Sequence, residues 1–163
     1  MNEPRESDIP KVMHQEEILV FKSFSEKDAW LLGNLMRTQA EQYDQGVVID
    51  IRRGEDVLFF TAMPGTTAVN GDWARRKRNL VHLTHTSSYL TGLQVNFQDA
   101  KDKIAGLDEV DYAWHGGCFP IKVAGQGVVA TATVSGLPQR DDHKLVVDAI
   151  AEYLGIDLAQ NSL

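Results

Sequence analysis

The spacing of apolar and polar residues changes several times along the chain, and each change predicts the boundary of a structural element. The segment "EILVFKSF", residues 17–24, predicts a first strand. Ser25 then stands three residues before Asp28, an acidic form of the capping box that predicts a helix running to about Tyr43. Apolar residues recur at helical spacing in that helix: Leu32, Leu35, Met36, Ala40 and Tyr43. The chain is therefore predicted to start with a strand followed by a helix.

Two pairs of short apolar runs predict β-hairpins. "GVVIDI" and "DVLFFTAM" are joined by "RRGED", while "CFPIKV" and "GVVATATVS" are separated by "AGQG". Because the first two runs are almost continuously apolar, we expect both to lie centrally in a sheet that is covered on both faces. Short hairpin connections also require neighbouring strands to be antiparallel.

The remaining patterns are helical. One helix is predicted from about Asp72, continuing with a bend near Gly92 toward Ile104, and another from about Pro138 to Tyr153. The last helix carries Val146, Ala149, Ile150 and Tyr153 on one stripe. Five strands and at least three helices predict an α/β (α+β) sandwich, in which helices flank a mainly antiparallel five-stranded sheet. The strand order stays open.

Composition limits the class of protein. A chain of 163 residues that is 43% hydrophobic is long enough for one sizeable core, so we predict a single domain over residues 1–163, with a polar N-terminal extension at 1–16. The net charge of -7 opposes binding to nucleic acid or to an anionic membrane surface. No apolar run approaches the roughly 20 residues that span a bilayer, and no signal-peptide pattern is present. These features predict a cytoplasmic protein, and small anionic ligands remain compatible with a local basic pocket.

The segment "NGDWARRKRNLVHLTHTSS" concentrates the basic residues on one predicted helix. On a helical wheel Trp73, Leu80 and Thr84 fall within about 20° of one line, and Lys77 lies inside this apolar stripe. Arg76 lies at the edge of the stripe, and the opposite face carries Arg75, Arg78, His82 and His85. An unpaired buried ammonium costs several kcal/mol, so Lys77 must find a negative partner or extend to water. Lys77 is therefore the leading ligand candidate, with an internal salt bridge or an extended stem as the alternative. The outward basic cluster is interpreted as a solvated face.

The segment "VSGLPQRDDH" connects a β-branched run to the last helix. Ser135 and Gly136 allow a sharp turn and leave backbone N–H groups that can hold a carboxylate or phosphate. The two adjacent aspartates also supply negative charge to the helix start, so complementing the helix dipole is the alternative reading. Asp142 lies on the core-facing side, where we expect it to meet Lys77 or a polar group of a ligand. His143 is expected to bind a ligand or, alternatively, to be a structural histidine.

The segment "HGGCFPI" places a histidine and two glycines before a strand. Gly116 and Gly117 permit positive φ and the close approach of a ligand, although a tight turn needs them as well. His115 precedes them on a predicted loop, where functional residues concentrate. Cys118 is interpreted as a buried, inert thiol, because no base or anion hole is recognisable nearby. The histidines of "HLTH" lack a third ligand at suitable spacing, so no metal site is predicted. No residue is assigned a catalytic role.

Four motifs together carry a resemblance to a known family: "PGTTAVNGDWARRKRN", "TSSYLTG", "HGGCFPIKV" and "VSGLPQRDDHKLVV". They resemble the haem-degrading-domain superfamily of HbpS/GlcG-like proteins, and most closely the subgroup called uncharacterised protein family 0303. The likeness spans about residues 17–155. It implies a compact α/β domain with an antiparallel sheet, self-assembly into dimers or larger rings, and haem or another small organic molecule as ligand. The matching positions are Asn70, Trp73, Arg76, Lys77, His115, Gly116, Gly117, Pro120, Ser135, Gly136, Asp142 and His143.

Two hypotheses follow. In the first, the protein binds a small anion, with haem as one candidate, in a pocket between the basic helix and the N-terminus of the last helix. Lys77 and Arg76 would pair with carboxylates, and His115 or His143 would approach the iron or a polar edge. In the second, the motifs serve a homo-oligomeric assembly in which Lys77 pairs with Asp142 within or between subunits. Whether the protein is an enzyme stays open, since residues adjacent on a helix point about 100° apart, which disfavours Asp142 as the group orienting a His143 base.

Overall fold

A computed structural model describes residues 2–163, which form five α-helices and five strands. The elements are α1 (Asp8–Ile18), β1 (Val20–Phe21), α2 (Glu26–Ala40), β2 (Val48–Arg53), β3 (Asp56–Ala62), α3 (Ala68–Thr84), α4 (Ser88–Phe97), β4 (Cys118–Val123), β5 (Gly127–Ser135) and α5 (Gln139–Leu154). Short 3-10 turns follow α4 and α5, at Lys101–Ile104 and Ala159–Asn161. Within residues 2–163, every helix is too short or too polar to cross a lipid bilayer.

The five strands form one open sheet in the order β1-β4-β5-β2-β3. The pairs β4–β5, β5–β2 and β2–β3 are antiparallel, and both predicted hairpins are present. Only β1 runs parallel to its neighbour β4. The prediction of a mainly antiparallel five-stranded sheet flanked by helices is therefore confirmed, with a short parallel strand making the sheet mixed.

The two faces of the sheet differ in character. One face packs against α2 and α5 and forms the main apolar core, which includes Ile49, Ile51, Phe119, Ile121, Ala132 and Val134. The other face packs against α3 and buries polar side chains from the intervening positions, among them Asp50, Thr131 and Thr133. Because side chains alternate along a strand, each strand contributes to both layers. The polar layer beneath α3 is where the charged residues of the basic helix meet the sheet.

The predicted strand over residues 17–24 is largely wrong, because a helix reaches Ile18 and the strand covers only Val20–Phe21. Helix α1 lacked a recognisable apolar stripe, since it buries at least as many polar side chains as apolar ones. Its buried residues are Asp8, Ile9, Val12, Gln15 and Glu16. These polar groups find partners on distant elements, which no local pattern can show.

Asp8 ties α1 to the rest of the molecule. Its carboxylate accepts two hydrogen bonds from the guanidinium of Arg140, at 2.9 and 3.0 Å, and one from the hydroxyl of Tyr89 at 2.7 Å. Burial raises the pKa of Asp8, but these hydrogen bonds outweigh burial, so the pKa lies below its ordinary value. Much of the segment 1–16, predicted as an extension, therefore belongs to a helix anchored to α4 and α5.

Strand β3 is an edge strand, so the prediction that both strands of the first hairpin lie centrally is wrong for β3. Strand β2 is buried, whereas Val57 and Phe60 on β3 are 54% and 52% exposed. Helix α3 packs on β2, β4 and β5 and does not extend over β3 in the same way. The apolar run therefore predicted the strand correctly. Its burial depended on how far α3 extends across the sheet, which the run does not show.

The predicted helix from about Asp72 to Ile104 is two helices, so that prediction is also wrong. Helix α3 begins four residues earlier, where Thr67 and Asn70 form a capping box. It ends at Thr84, where the C-cap His85 adopts the left-handed conformation with φ 56°, and α4 then starts from its own cap at Ser87. The Thr and Ser residues of "THTSS" are the local signal for this break.

Candidate functional site

A cavity of about 340 Å³ lies between α3 and the loop that leads into α5. Its walls are Val69, Asn70, Trp73, Lys77, His115, Ser135, Gly136, Leu137, Gln139 and Asp142. Seven of these residues belong to the set predicted from the sequence. The other three, Val69, Leu137 and Gln139, were missed, although each stands close in sequence to a predicted one. The fold thus brings the basic helix, the "HGG" loop and the start of α5 to one place.

Lys77 points inward and is 3% exposed. Its Nζ lies 2.9 Å from Oδ2 of Asp142, which is 1% exposed, and 3.3 Å from the carbonyl oxygen of Val134. The pair forms within one chain, so the internal salt bridge, considered as the alternative to ligand binding, is present. The positive charge of Lys77 is therefore already neutralised at the wall of the cavity.

The carboxylate of Asp142 also satisfies the backbone that precedes α5. Oδ1 accepts the N–H of Leu137 at 2.9 Å, and Oδ2 accepts the N–H of Gly136 at 3.3 Å. Burial raises the pKa of Asp142, while the ammonium of Lys77 and the two backbone N–H groups act to lower it. Asp142 thus pairs with Lys77, as predicted. It also accepts the backbone N–H groups before α5, which were predicted to hold an anion.

The glycines of the "HGG" loop make room for this ion pair. A Cβ on Gly117 would lie 2.3 Å from the carbonyl oxygen of Val134 and 2.7 Å from Nζ of Lys77, and its φ of 136° also favours glycine. A Cβ on Gly116 would lie 2.2 Å from the carbonyl oxygen of Gln139. Both glycines therefore stand behind the cavity wall, where they allow the protein's own α3 and α5 to approach the loop.

Arg76 lies against the indole ring of Trp73, with its guanidinium carbon 4.2 Å from the ring centroid. His115 meets the same indole edge-on, with centroids 5.1 Å apart. Burial, and then the charges of Lys77 and Arg76, lower the pKa of His115, so its imidazole is neutral at pH 7. Trp73 and His115 line the cavity, whereas Arg76 is not one of its lining residues and adjoins it through its contact with Trp73.

The four consecutive cations "RRKR" of α3 differ in their partners. Three of them have carboxylate partners: Arg75 contacts Asp72 and Asp111, Lys77 contacts Asp142, and Arg78 contacts Asp50. The side chain of Arg76 alone makes no hydrogen bond or ion pair with any residue of 2–163, and its Nε is buried without a partner. A cation–π contact supports Arg76 but does not neutralise its charge.

The prediction that Arg78 points outward is wrong. Arg78 is 7% exposed and donates to Asp50 on β2 at 2.6 Å, and Arg52 donates to the same carboxylate at 2.9 Å. A helix that packs on a broad sheet buries residues on both sides of its apolar stripe. The helical wheel therefore predicted too narrow a buried face for α3.

His143 lies away from the cavity. It is fully buried, and its Nε2 is 2.9 Å from Oε1 of Gln15 on α1. The rings of Tyr89 and Phe119 pack against it at 4.8 and 5.9 Å. Burial lowers the pKa of His143 to about 3. This environment matches the structural alternative for His143, and it separates His143 from His115.

The remaining titratable candidates lie elsewhere. Cys118 is buried, and burial raises the pKa of its thiol to about 12. His82 and His85 line a separate, smaller cavity of about 150 Å³. Residues 2–163 contain no cluster of three or more His, Cys, Asp or Glu side chains suited to a metal ion.

Comparison with known proteins identifies the family. The model of the family described as "Haem degrading protein HbpS-like" matches residues 24–151. The chain belongs to the HbpS-like family. Among relatives of this HbpS-like chain, the UPF0303 protein of Acidobacterium capsulatum is 46% identical over 96% of this chain and 95% of its own length. That of Azotobacter vinelandii is 48% identical over 91% and 90%.

Solved structures show the same fold. The crystal structure of the Ybr137w protein superimposes with a TM-score of 0.84 at 26% identity, covering 93% of this HbpS-like chain and 90% of the other. A double mutant of HbpS from Streptomyces reticuli gives a TM-score of 0.63 at 20% identity, covering 81% and 87%. The resemblance inferred from the four motifs is therefore confirmed at the level of family and fold.

Proposed function

We propose that this HbpS-like chain binds a small organic anion in the cavity between α3 and the start of α5. The observation that carries the proposal is the unpaired charge of Arg76, held 4.2 Å from the ring of the cavity residue Trp73. Lys77 and Asp142 neutralise each other, and His115 is neutral, so Arg76 is the cation next to the cavity whose side chain lacks an ion-pair partner among residues 2–163. A guanidinium with free N–H groups suits a carboxylate, which it binds with two parallel hydrogen bonds.

The cavity also supplies an apolar surface for the rest of the ligand. Val69, Trp73 and Leu137 form this part of the wall. A mixture of apolar surface and a few directed polar groups is typical of sites for small molecules. The ligand is therefore a molecule with one carboxylate and an apolar body.

Haem is the ligand suggested by the family, whose name refers to haem degradation. A volume of about 340 Å³ is near the lower end of the range for ligand sites, and the four-ringed porphyrin is too large to be enclosed there. His143 offers no iron ligand at this cavity, because it is fully buried elsewhere. The cavity therefore suits a smaller acid, whereas a haem would extend beyond its volume.

Titration with benzoate and with haem tests the proposal. Benzoate, an aromatic carboxylate, is expected to bind saturably by calorimetry. Arg76→Gln is expected to weaken its binding about tenfold or more, the loss of one charge-assisted pair. Arg75→Gln is the matched control, because Arg75 lies on the same helix but is paired with Asp111 outside the cavity.

Two results would contradict anion binding at this cavity. One is that neither benzoate nor haem binds saturably. The other is an equal loss of affinity in Arg75→Gln and Arg76→Gln. A Soret shift on adding haem that persists in Arg76→Gln would place haem binding at another surface.

The exposed edge of the sheet favours self-assembly as a second function. Within residues 2–163, β3 has no neighbouring strand on its outer side, and Val57 and Phe60 are more than half exposed. Natural edge strands are usually protected by lysine, proline or a covering element, and the residues "DVLFFTA" include neither lysine nor proline. Two copies of such an edge can pair antiparallel about a twofold axis, which continues the sheet across the interface.

Solution mass tests this assembly. The native chain is expected to be at least a dimer by light scattering, and Phe60→Lys is expected to halve the mass by placing two charges at the twofold contact. Phe97→Lys serves as control, since Phe97 is an exposed aromatic residue on α4, outside the sheet edge. A monomeric native protein, or a mass unchanged by Phe60→Lys, would contradict pairing through β3.

A further inference from the structure

We infer that the ligand of this cavity is a 2-oxo acid with an apolar substituent, a carboxylic acid whose second polar group only accepts hydrogen bonds. This inference rests on the proposed function and specifies its ligand class. It follows from which hydrogen-bonding atoms of the cavity are already used and which are left over.

The two carboxamides of the cavity have used their oxygen atoms. Oδ1 of Asn70 accepts the backbone N–H of Thr67 at 2.8 Å, and Oε1 of Gln139 accepts the backbone N–H of Gly116 at 3.1 Å. A backbone N–H only donates, so these contacts fix which end of each amide is oxygen. Nδ2 of Asn70 and Nε2 of Gln139 have no partner among residues 2–163. Both residues line the cavity, so their unpaired amide donors are available to a ligand there.

The carboxylate of Asp142 is occupied in the same way. Oδ2 accepts from Lys77 and Gly136, and Oδ1 accepts from Leu137. These three donors hold the carboxylate in the wall, so it is a poor acceptor for a ligand ammonium. A neutral His115 offers one acceptor nitrogen and one donor, and the hydroxyl of Ser135 serves in either sense.

The unused side-chain hydrogen-bonding capacity is therefore mostly donating. The two amide NH₂ groups of the cavity donate and do not accept, and the guanidinium of Arg76, next to the cavity wall formed by Trp73, also only donates. A ligand that leaves a donor facing these groups loses hydrogen bonds and, if that donor is an ammonium, meets the charge of Arg76 as well. A 2-oxo acid presents a carboxylate and a carbonyl, which are acceptors only. Val69, Trp73 and Leu137 supply the surface for its apolar substituent.

Three acids of nearly equal size separate the possibilities: benzoylformate, mandelate and phenylglycine. They share the phenyl ring and the carboxylate, and they carry respectively a carbonyl, a hydroxyl and an ammonium on the carbon between these groups. Calorimetric titration of the native chain is expected to show benzoylformate binding at least tenfold more tightly than phenylglycine, with mandelate between them.

Asn70→Asp tests the role of the amide donor without removing the helix cap. The aspartate keeps the oxygen that accepts the N–H of Thr67, and negative charge in the first turn of a helix stabilises it. A purely structural role for Asn70 therefore predicts an unchanged or higher Tm and equal losses of affinity for benzoate and benzoylformate, because the new charge repels both carboxylates alike. The inference predicts that the affinity for benzoylformate falls at least tenfold, and by more than the affinity for benzoate, while Tm does not fall. Asn34→Asp is the control, because it adds the same charge at an exposed position of α2.

The outcomes of these titrations separate the proposed ligand class from the proposed anion site. Equal or tighter binding of phenylglycine, or a folded Asn70→Asp variant whose affinity for benzoylformate falls no more than its affinity for benzoate, overturns the ligand class. If benzoate binding still depends on Arg76 in that case, the proposed anion site stands without it. If no acid of the series and no benzoate binds, both the ligand class and the anion site are wrong.

Discussion

Replacing Lys77 with methionine is expected to lower the free energy of unfolding by about 3–5 kcal/mol. The methionine side chain would fill nearly the same volume but leave the carboxylate of Asp142, 1% exposed, without its cation. The remaining donors, the N–H groups of Leu137 and Gly136, are dipoles and do not compensate a full charge. Urea unfolding followed by circular dichroism measures the change, with Lys27→Met on the exposed face of α2 as control.

A second variant separates the lost ion pair from a general packing defect. Adding Asp142→Asn to Lys77→Met removes the stranded charge and keeps an oxygen for the N–H of Leu137. We expect the double variant to be more stable than Lys77→Met alone, because a neutral pair avoids the burial cost of one charge. A single variant within about 1 kcal/mol of the native chain, or a double variant less stable than either single one, would contradict a buried, mutually neutralising pair.

The second large effect is a pH dependence that originates at His143. Burial lowers the pKa of His143 from 6.5 to about 3. Between pH 6.5 and about pH 3, the unfolded chain therefore carries a proton on His143 that the folded chain does not bind. Above pH 6.5, His143 therefore does not lower the free energy of unfolding. As the pH is lowered toward 3, the titration of His143 lowers the free energy of unfolding by at most about 1.4 kcal/mol per pH unit. The full contribution across the window is about 5 kcal/mol.

The measurement is the difference between the native chain and His143→Gln, because other groups also titrate. Asp8, with a lowered pKa, acts in the same direction as His143, whereas Glu16 and Asp142, with raised pKa values, act in the opposite direction. These contributions largely cancel in the difference. We expect the stability of His143→Gln to vary less between about pH 6.5 and about pH 4 than that of the native chain. Parallel curves would mean that His143 is protonated equally in both states.

The Lys77–Asp142 pair shows how much of a site the sequence can predict. A lysine in the middle of an apolar stripe demands a counter-charge, and an aspartate on the core-facing side of the last helix is a suitable one. That argument uses only helical spacing and the cost of a buried charge. It does not single out Arg76, which the wheel places at the edge of the stripe and which the family resemblance adds to the candidate site. The lack of an ion-pair partner for Arg76 is known only once the partners of Arg75, Lys77 and Arg78 are known.

Arg78 and His143 show where local reasoning fails. The helical wheel placed Arg78 opposite the apolar stripe, but β2 carries Asp50 in the polar layer of the sheet, and the wide contact of α3 with that sheet covers Arg78. His143 is adjacent to Asp142, yet it faces α1 and not the cavity. Each outcome depends on an element distant in the sequence, which no window of residues contains.

The sequence by itself determined most of the secondary structure, the two hairpins, the mainly antiparallel sheet, the family and the need of Lys77 for a partner. These follow from periodicity, turn chemistry, the joint spacing of four motifs and the cost of burying charge, all of which can be read along the chain. Only the tertiary structure decided the helical course of α1, the edge position of β3, the separation of His143 from His115 and the lack of a partner for Arg76 among residues 2–163. Those features depend on contacts between segments far apart in the chain, where burial and charge compensation are decided by which surfaces meet.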